Sequence, residues 1–244
     1  MSGHSHAKTV RKTKEANAQK RAQFFAKAAR LISVAVKQGG PNPETNAKLR
    51  MAIEIAKSYN VPKENIENAI KRAAGAGESL ALEEIFYEAY GPGGVALIIE
   101  GVTENKNRAF NEVKQVLSKF NGKLVSEGAI RWMFERKGLI TINLTEQGEN
   151  FKNKEVLELT AIEAGAEDIE WQKENLLVYT SVSNLYEIKK FFEERGIKIE
   201  SVSLDWKPKE VVKLNEKERE NLEKLFEALD ELDCVQEIYS NLAQ

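Results

Sequence analysis

Eight lysines and arginines fall within the first thirty residues: Lys8, Arg11, Lys12, Lys14, Lys20, Arg21, Lys27 and Arg30, against one acid, Glu15. Cations at this density suit the neutralisation of phosphate, because each phosphate contact releases condensed counterions. Residues 1–80 hold 15 basic and 6 acidic side chains, a net of +9, whereas the rest of the chain sums to −11. Such asymmetry fits a basic module for a polyanion carried on an acidic body, and nucleic acid is the commonest polyanion of that kind. A basic terminal arm that is merely solvated would carry the same charge. The eight cations are the first candidates for a binding site.

Other chemistry has fewer residues to work with. His4 and His6 could begin a metal site, but there is no third histidine and only one cysteine, Cys234. That falls short of the usual nitrogen and sulfur ligand sets, so no metal is expected. Tyr90-Gly91-Pro92-Gly93-Gly94 has the glycine content of a phosphate cradle. It lacks the Lys-Ser/Thr pair of a P-loop and leads into a strand-like run, so a tight turn is expected. Asn105 and Asn107 read as helix caps, and Arg108 beside them could contact RNA. The acidic clusters at 216–220 and 227–233 read as the solvated face of a helix with an apolar stripe. No Ser/His/Asp or Cys/His arrangement stands out, and no carboxylate pair does either. A non-enzyme with no catalytic residue, cofactor or small-molecule substrate is expected.

The 244 residues exceed the roughly 100–200 of one ordinary domain, so two or three are expected. A lone cysteine excludes an internal disulfide and suits a reducing compartment. No run approaches the ~18 apolar residues of a membrane span, and no signal-peptide core follows the basic start. A cytoplasmic location and no membrane partner are the expectation.

Periodicity then supplies the elements that position the cations. Residues 1–17 lack apolar periodicity and are expected to form a mobile arm. From 18 to 38 the pattern is helical, with Phe24, Ala28, Leu31, Ile32 and Ala35 on one face and Lys27, Arg30 and Lys37 on the other. Gly39-Gly40 and Pro41-Asn42-Pro43 stop it. Helices over 44–58 and 62–75 complete a basic helical domain, 1–80, ending in a linker at 74–79. Strands follow at 85–90 and 95–102, then a helix at 105–120 and a strand at 130–134. Strands at 139–143, 168–172, 176–180 and 197–204, with helices at 154–164 and 183–195, give β-α-β-β-α-β, the ferredoxin-like order. An Asn215…Glu218 capping-box pattern opens a last helix, and a strand at 235–239 closes the chain.

A β-β-α-β unit alone would be a thin sheet under one helix. The last helix and strand are therefore expected to complete it, making 136–206 an insertion into a discontinuous domain of 81–135 plus 207–244. Three domains strictly in sequence are the alternative. The expected class is α+β: an N-terminal three-helix domain followed by two α/β-sandwich domains, the last ferredoxin-like and inserted into the middle one.

The assembled residues resemble the YebC/PmpR family over nearly the whole chain. The likeness rests on Gly3-His4-Ser5, Arg11, Lys14, Lys20-Arg21, Phe25, Lys27 and Arg30, then Gly39-Gly40, Asn46, Leu49-Arg50, Ala69-Ile70 and Arg72. Its most specific blocks are the run from Tyr87 to Gly94 and Thr103-Glu104-Asn105-Lys106-Asn107-Arg108. Gly165-Ala166-Glu167-Asp168 and Val235-Gln236-Glu237-Ile238-Tyr239 complete it. Where the family usually has Lys-Trp after Gly-His-Ser, this chain has His6-Ala7, with Lys8 and Lys12 just downstream.

The resemblance implies a helical domain followed by two α+β domains, one inserted into the other. It also implies a cytoplasmic transcriptional regulator that binds DNA. The alternative is a ribosome-associated translation factor contacting rRNA or tRNA, as the mitochondrial relatives look like translational activators. The family signature adds His4 and Ser5 to the nucleic-acid-contacting tip. Charges fixed on a helix lose less entropy on binding than charges on an arm, so Lys27 and Arg30 are expected to count for more than Lys8 and Lys12.

Overall fold

The structure, a computed structural model, describes residues 18–75 and 82–243, with side chains from Arg21 onward. The expected arm at 1–17 and linker residues 76–79 lie outside the described residues. The fold is α+β, with seven α-helices and two four-stranded sheets among the described residues.

Helix α1 (Ala18–Gly39) is rich in alanine and long unbranched side chains, which lose little freedom in a helix. It stops where Gly40 turns to φ 83°. Helices α2 (Ala47–Ser58) and α3 (Lys63–Gly75) pack on it around Ala28, Ile32, Leu49, Ala52, Ala56 and Ile66. Asn46 stitches the first corner. Its Oδ1 accepts the Leu49 N–H at 3.0 Å as the α2 cap, and its Nδ2 donates to the carbonyls of Ala35 at 2.7 Å and Gly40 at 2.9 Å. A Cβ on Gly39 would lie 2.7 Å from that carboxamide, so only glycine permits the approach. This cap is why α2 begins at Ala47 and not at the expected residue 44.

Strands β1 (Glu83–Tyr90) and β2 (Ala96–Thr103) form an antiparallel hairpin with Glu83 opposite Thr103 and Tyr90 opposite Ala96. Helix α4 (Lys106–Lys119), capped by Asn105, leads to the short β3 (Lys123–Val125). Near the C-terminus, α7 (Glu216–Asp230) and β8 (Val235–Ser240) return to this sheet, whose order is β3-β1-β2-β8. The α7 start carries the expected capping box, with Asn215 and Glu218 exchanging bonds of 2.9 and 3.2 Å. Helices α4 and α7 cover one face through Val113, Leu117, Leu222, Leu225, Phe226 and Leu229. The other face holds Ile98, Ile130, Phe134, Trp206 and Tyr239.

Between these parts run β4 (Phe134–Asn143), α5 (Lys154–Glu163), β5 (Asp168–Gln172), β6 (Asn175–Thr180), α6 (Leu185–Glu194) and β7 (Ser201–Pro208). Their sheet order β5-β6-β4-β7 is the ferredoxin-like arrangement. The chain divides into two compact units, 1–135 with 206–244, and 136–205. The helical segment and the middle sheet thus belong to one unit.

Further local features differ from expectation. Residues 130–134 are not a strand: Arg131–Met133 form a 3-10 turn and β4 begins at Phe134. The buried Glu88 carboxylate accepts the N–H groups of Gly128, Ile130 and Arg131 at 2.6, 2.8 and 3.0 Å, so a side chain takes the donors a ladder would need. Strand β3 was not expected, because three residues are too few to show alternation. The strand expected at 197–204 spans Ser201–Pro208 instead, since the Gln147 carboxamide bonds both the N–H and the carbonyl of Lys198.

Asn46 gives a direct test of the helical corner. Replacing it with Ala removes a cap of about 1 kcal/mol and two further bonds of about 0.5–1.5 kcal/mol each. Urea unfolding of N46A should show a loss of roughly 2–4 kcal/mol, whereas a loss well below 1 kcal/mol would mean the corner holds without it.

Candidate nucleic-acid interface

The sequence places its candidate cations in and before α1, and the structure separates them into different environments. His4, Ser5, Lys8, Arg11, Lys12 and Lys14 lie outside the described residues. Lys20 belongs to the first turn of α1, and Arg21 is exposed one residue on. Lys27 and Arg30, expected on the solvated face, are engaged elsewhere.

Lys27 is 7% exposed, and its Nζ donates to the carbonyl of Asp230, the last residue of α7, at 3.0 Å. A cation there meets the negative end of the helix dipole and satisfies a carbonyl with no intrahelical partner. Burial lowers the Lys27 pKa, and the nearby Asp230, Glu237, Cys234 and Asp233 oppose that shift. Arg30 donates to the Asp233 carbonyl, with the Asp233 carboxylate 3.8 Å away. The expected ranking of these two above Lys8 and Lys12 therefore fails on geometry: their charged ends are directed at the α7 terminus.

A third contact completes this seam. The Tyr59 hydroxyl donates to Glu237 Oε1 at 2.7 Å, with both residues buried. Desolvation, then the Glu237 charge and hydrogen bond, holds the Tyr59 pKa well above its ordinary value. The overlooked signal is Val34, which is buried yet stands outside the helical core cluster. Lys27, Arg30 and Val34 are spaced as one helical stripe, a second buried face on α1.

Cations on the rest of the helical segment are partly paired. Lys48 bonds Glu84 at 2.9 Å, Lys57 bonds Glu54 at 3.0 Å, and Lys63 lies 3.8 Å from Glu67. Arg21, Lys71 and Arg72 are exposed, and no carboxylate among the described residues pairs with them.

The Gly91–Gly94 segment is a turn, with Gly93 and Gly94 at φ 66° and 75°. The Gly91 N–H donates to the Val95 carbonyl and the Gly94 N–H to the Gly91 carbonyl, so these two amides are spent within the turn. Asn105 accepts the Arg108 N–H at 3.0 Å as a cap, and Arg108 lies 3.4 Å from Glu112. Cys234 is buried and free, its pKa raised first by burial and then by Glu112. Among the described residues no cluster could hold a metal ion, and no helix is long and apolar enough to cross a membrane. The sequence reading passed over Arg131 and Trp132, the latter 67% exposed at the end of a loop fixed by Glu88.

A basic three-helix segment joined to an α+β sheet that accepts a ferredoxin-like insertion defines the class of protein. Comparison with known proteins gives the same arrangement. Residues 5–76 match the "TACO1/YebC protein N-terminal domain" and residues 82–242 match the "TACO1/YebC second and third domain". The chain belongs to the TACO1/YebC family. A relative from Pseudothermotoga lettingae, named "Probable transcriptional regulatory protein", is 44% identical over 99% of this chain and 93% of its own. One of the same name from Petrotoga mobilis is 45% identical over 99% and 94%. The crystal structure of a conserved hypothetical protein from Aquifex aeolicus superposes with a TM-score of 0.83, at 43% identity, over 93% of this chain and 91% of that one.

The Tyr59–Glu237 contact yields a pH prediction. A tyrosine whose folded pKa is raised stabilises the fold fully below its unfolded value near 10.0, and loses that contribution as pH rises beyond it. Above pH ~10 the unfolded chain ionises while the folded tyrosine resists. Denaturation midpoints of the unaltered protein should therefore fall more steeply than those of Tyr59→Phe between pH 9 and 11. Parallel curves would detach Tyr59 from the alkaline response.

Proposed function

We propose that this protein is a cytoplasmic, non-enzymatic regulator of transcription that binds DNA through the cations at its N-terminal end. The names carried by its relatives support the transcriptional assignment. The single observation that carries the location is the charge division, +9 over residues 1–80 against −11 over the rest. The binding set is His4, Ser5, Lys8, Arg11, Lys12, Lys14, Lys20 and Arg21. Lys27 and Arg30 leave that set because α7 and the turn after it engage them.

Phosphate contacts of this kind position a protein on nucleic acid without reading its sequence. Base contacts would have to come from other groups, and among the described residues no helix is marked as a recognition helix. No cofactor or metal enters the reading. A ribosomal role would use the same cations on rRNA or tRNA, and no observation favours it over DNA.

Titration of the full-length protein on duplex DNA at a series of salt concentrations tests the assignment. Lys8→Ala with Lys12→Ala should weaken binding and flatten the log–log salt slope by nearly two units, at about 0.9 per phosphate. Lys27→Met with Arg30→Met should leave the slope unchanged while lowering thermal stability. If the second pair flattens the slope and the first does not, the site lies on α1 after all. Tighter binding to a structured RNA of equal length at every salt concentration would move the function to the ribosomal reading.

A further inference from the structure

Strand β1 is interior along only part of its length. β3 pairs with Glu88–Tyr90 and ends there, so among the described residues no strand lies beside the outer edge of Glu83–Tyr87. The ladder fixes which groups face that edge. The Gly91 N–H donates to the Val95 carbonyl at 2.8 Å, one step beyond the Tyr90–Ala96 pair. Hydrogen-bonded and non-bonded pairs alternate along antiparallel strands. Odd-numbered residues of β1 therefore bond β2, and Glu84 and Phe86 turn their N–H and C=O groups outward.

Natural sheets usually blunt such an edge with a bulge, proline or charge. Here charge guards one end, where Glu83 pairs with Lys106 and Glu84 with Lys48. Further along, a cavity of about 330 Å³ opens between β1 and the first turn of α4, with Phe86, Tyr87, Asn107 and Phe110 in its lining. Phe110 is 42% exposed and meets Tyr87 edge-on, with ring centroids 5.9 Å apart. By Phe86, the exposed Arg131 guanidinium lies 5.2 Å from that ring and 5.1 Å from Trp206. No carboxylate among the described residues pairs with Arg131. Its loop is held in place by the three N–H bonds to Glu88.

We infer that this edge is a docking site for an extended segment of a partner protein, which adds a strand beside Glu84 and Phe86. Side chains of an added strand alternate between faces. One apolar side chain seats against Phe110 and Tyr87, and the carboxylate of its neighbour faces Arg131. Main-chain bonds supply affinity and the two pockets supply preference, as in other strand additions.

The occupant follows from charge and size. Nucleic acid has no peptide ladder to offer the outward N–H and C=O groups of Glu84 and Phe86. A second copy of this chain is a poor fit, because five edge residues span only about 17 Å. A ladder of that length buries less surface than the ~1,200–2,000 Å² of a stable dimer. This surface is independent of the proposed DNA site.

The test uses full-length protein and an array of heptapeptides that alternate an apolar residue with Glu, beside the same array with Lys for Glu. The Glu series should be retained at least tenfold better. N-methylation of alternate amides in one register of the best peptide should abolish binding and in the other register spare it, since only one edge of an added strand faces β1. Arg131→Gln should erase the preference for Glu, and Phe110→Ala should weaken binding about tenfold; both side chains are exposed. No retention in either series overturns the inference. So does equal loss in both methylation registers, displacement of the peptide by oligouridine, or a dimer that the peptide dissociates.

Discussion

The antiparallel pairing of β8 with β2 is the contact on which the larger unit depends. It places Leu97 opposite Ser240 and Ile99 opposite Ile238, joining segments separated by the whole ferredoxin-like insertion. Loop-closure entropy grows slowly with length, so a folded insertion adds little to the cost of bringing these strands together. What the pairing does require is a close approach at one point. The register shifts between Glu100 and Gly101, and a Cβ on Gly101 would lie 2.0 Å from the Cys234 carbonyl. With glycine there, Val102 donates to that same carbonyl at 2.9 Å. The turn before β8 is thereby fixed. It presents the carbonyls of Asp230 and Asp233 to Lys27 and Arg30, while β8 presents Glu237 to Tyr59.

Much of this was legible because it is local. The Asn215–Glu218 box, the Asn105 cap and the Gly39-Gly40 stop are signals contained within a few residues, and each occurs in the structure. The ferredoxin-like order could be read because its strands and helices alternate at clear periods. The completion of the middle sheet was legible for a different reason: three strands under one helix would be a thin sheet, even though the third strand is β3 and not the expected 130–134. Strand β3 and the turn at Arg131–Met133 were not legible. Both depend on partners far along the chain, β1 for the former and the Glu88 carboxylate for the latter.

The candidate site was legible as a charge and not as a geometry. Counting Lys27 and Arg30 with the other cations of α1 treats a helix face as either core or solvent. Here α1 has two buried faces, one toward α2 and α3 and one toward the end of α7 and the turn after it. A lysine can serve the second face because its stem packs while its ammonium reaches a helix C-terminus. Sequence charge alone cannot tell such a helix end from a phosphate, since both present oxygen and negative potential.

That likeness constrains where nucleic acid can bind. The end of α7 attracts Lys27 and Arg30 through its dipole and through Asp230 and Asp233, and the same field repels phosphate. A polyanion must approach the helical segment from a point where that repulsion is screened. From Lys27 back to Lys20 is seven residues of helix, or about 10 Å at 1.5 Å per residue. This is slightly more than the ~8 Å Debye length at physiological salt. The seam between α1 and the α7–β8 turn would therefore stay closed with a phosphate about two turns away. The buried polar contacts suit that arrangement: removing one partner of such a contact is costly, which favours a single docked position of α1. The acidic body thus fixes α1 through Lys27 and Arg30, and its negative field fades toward the N-terminal end of that helix.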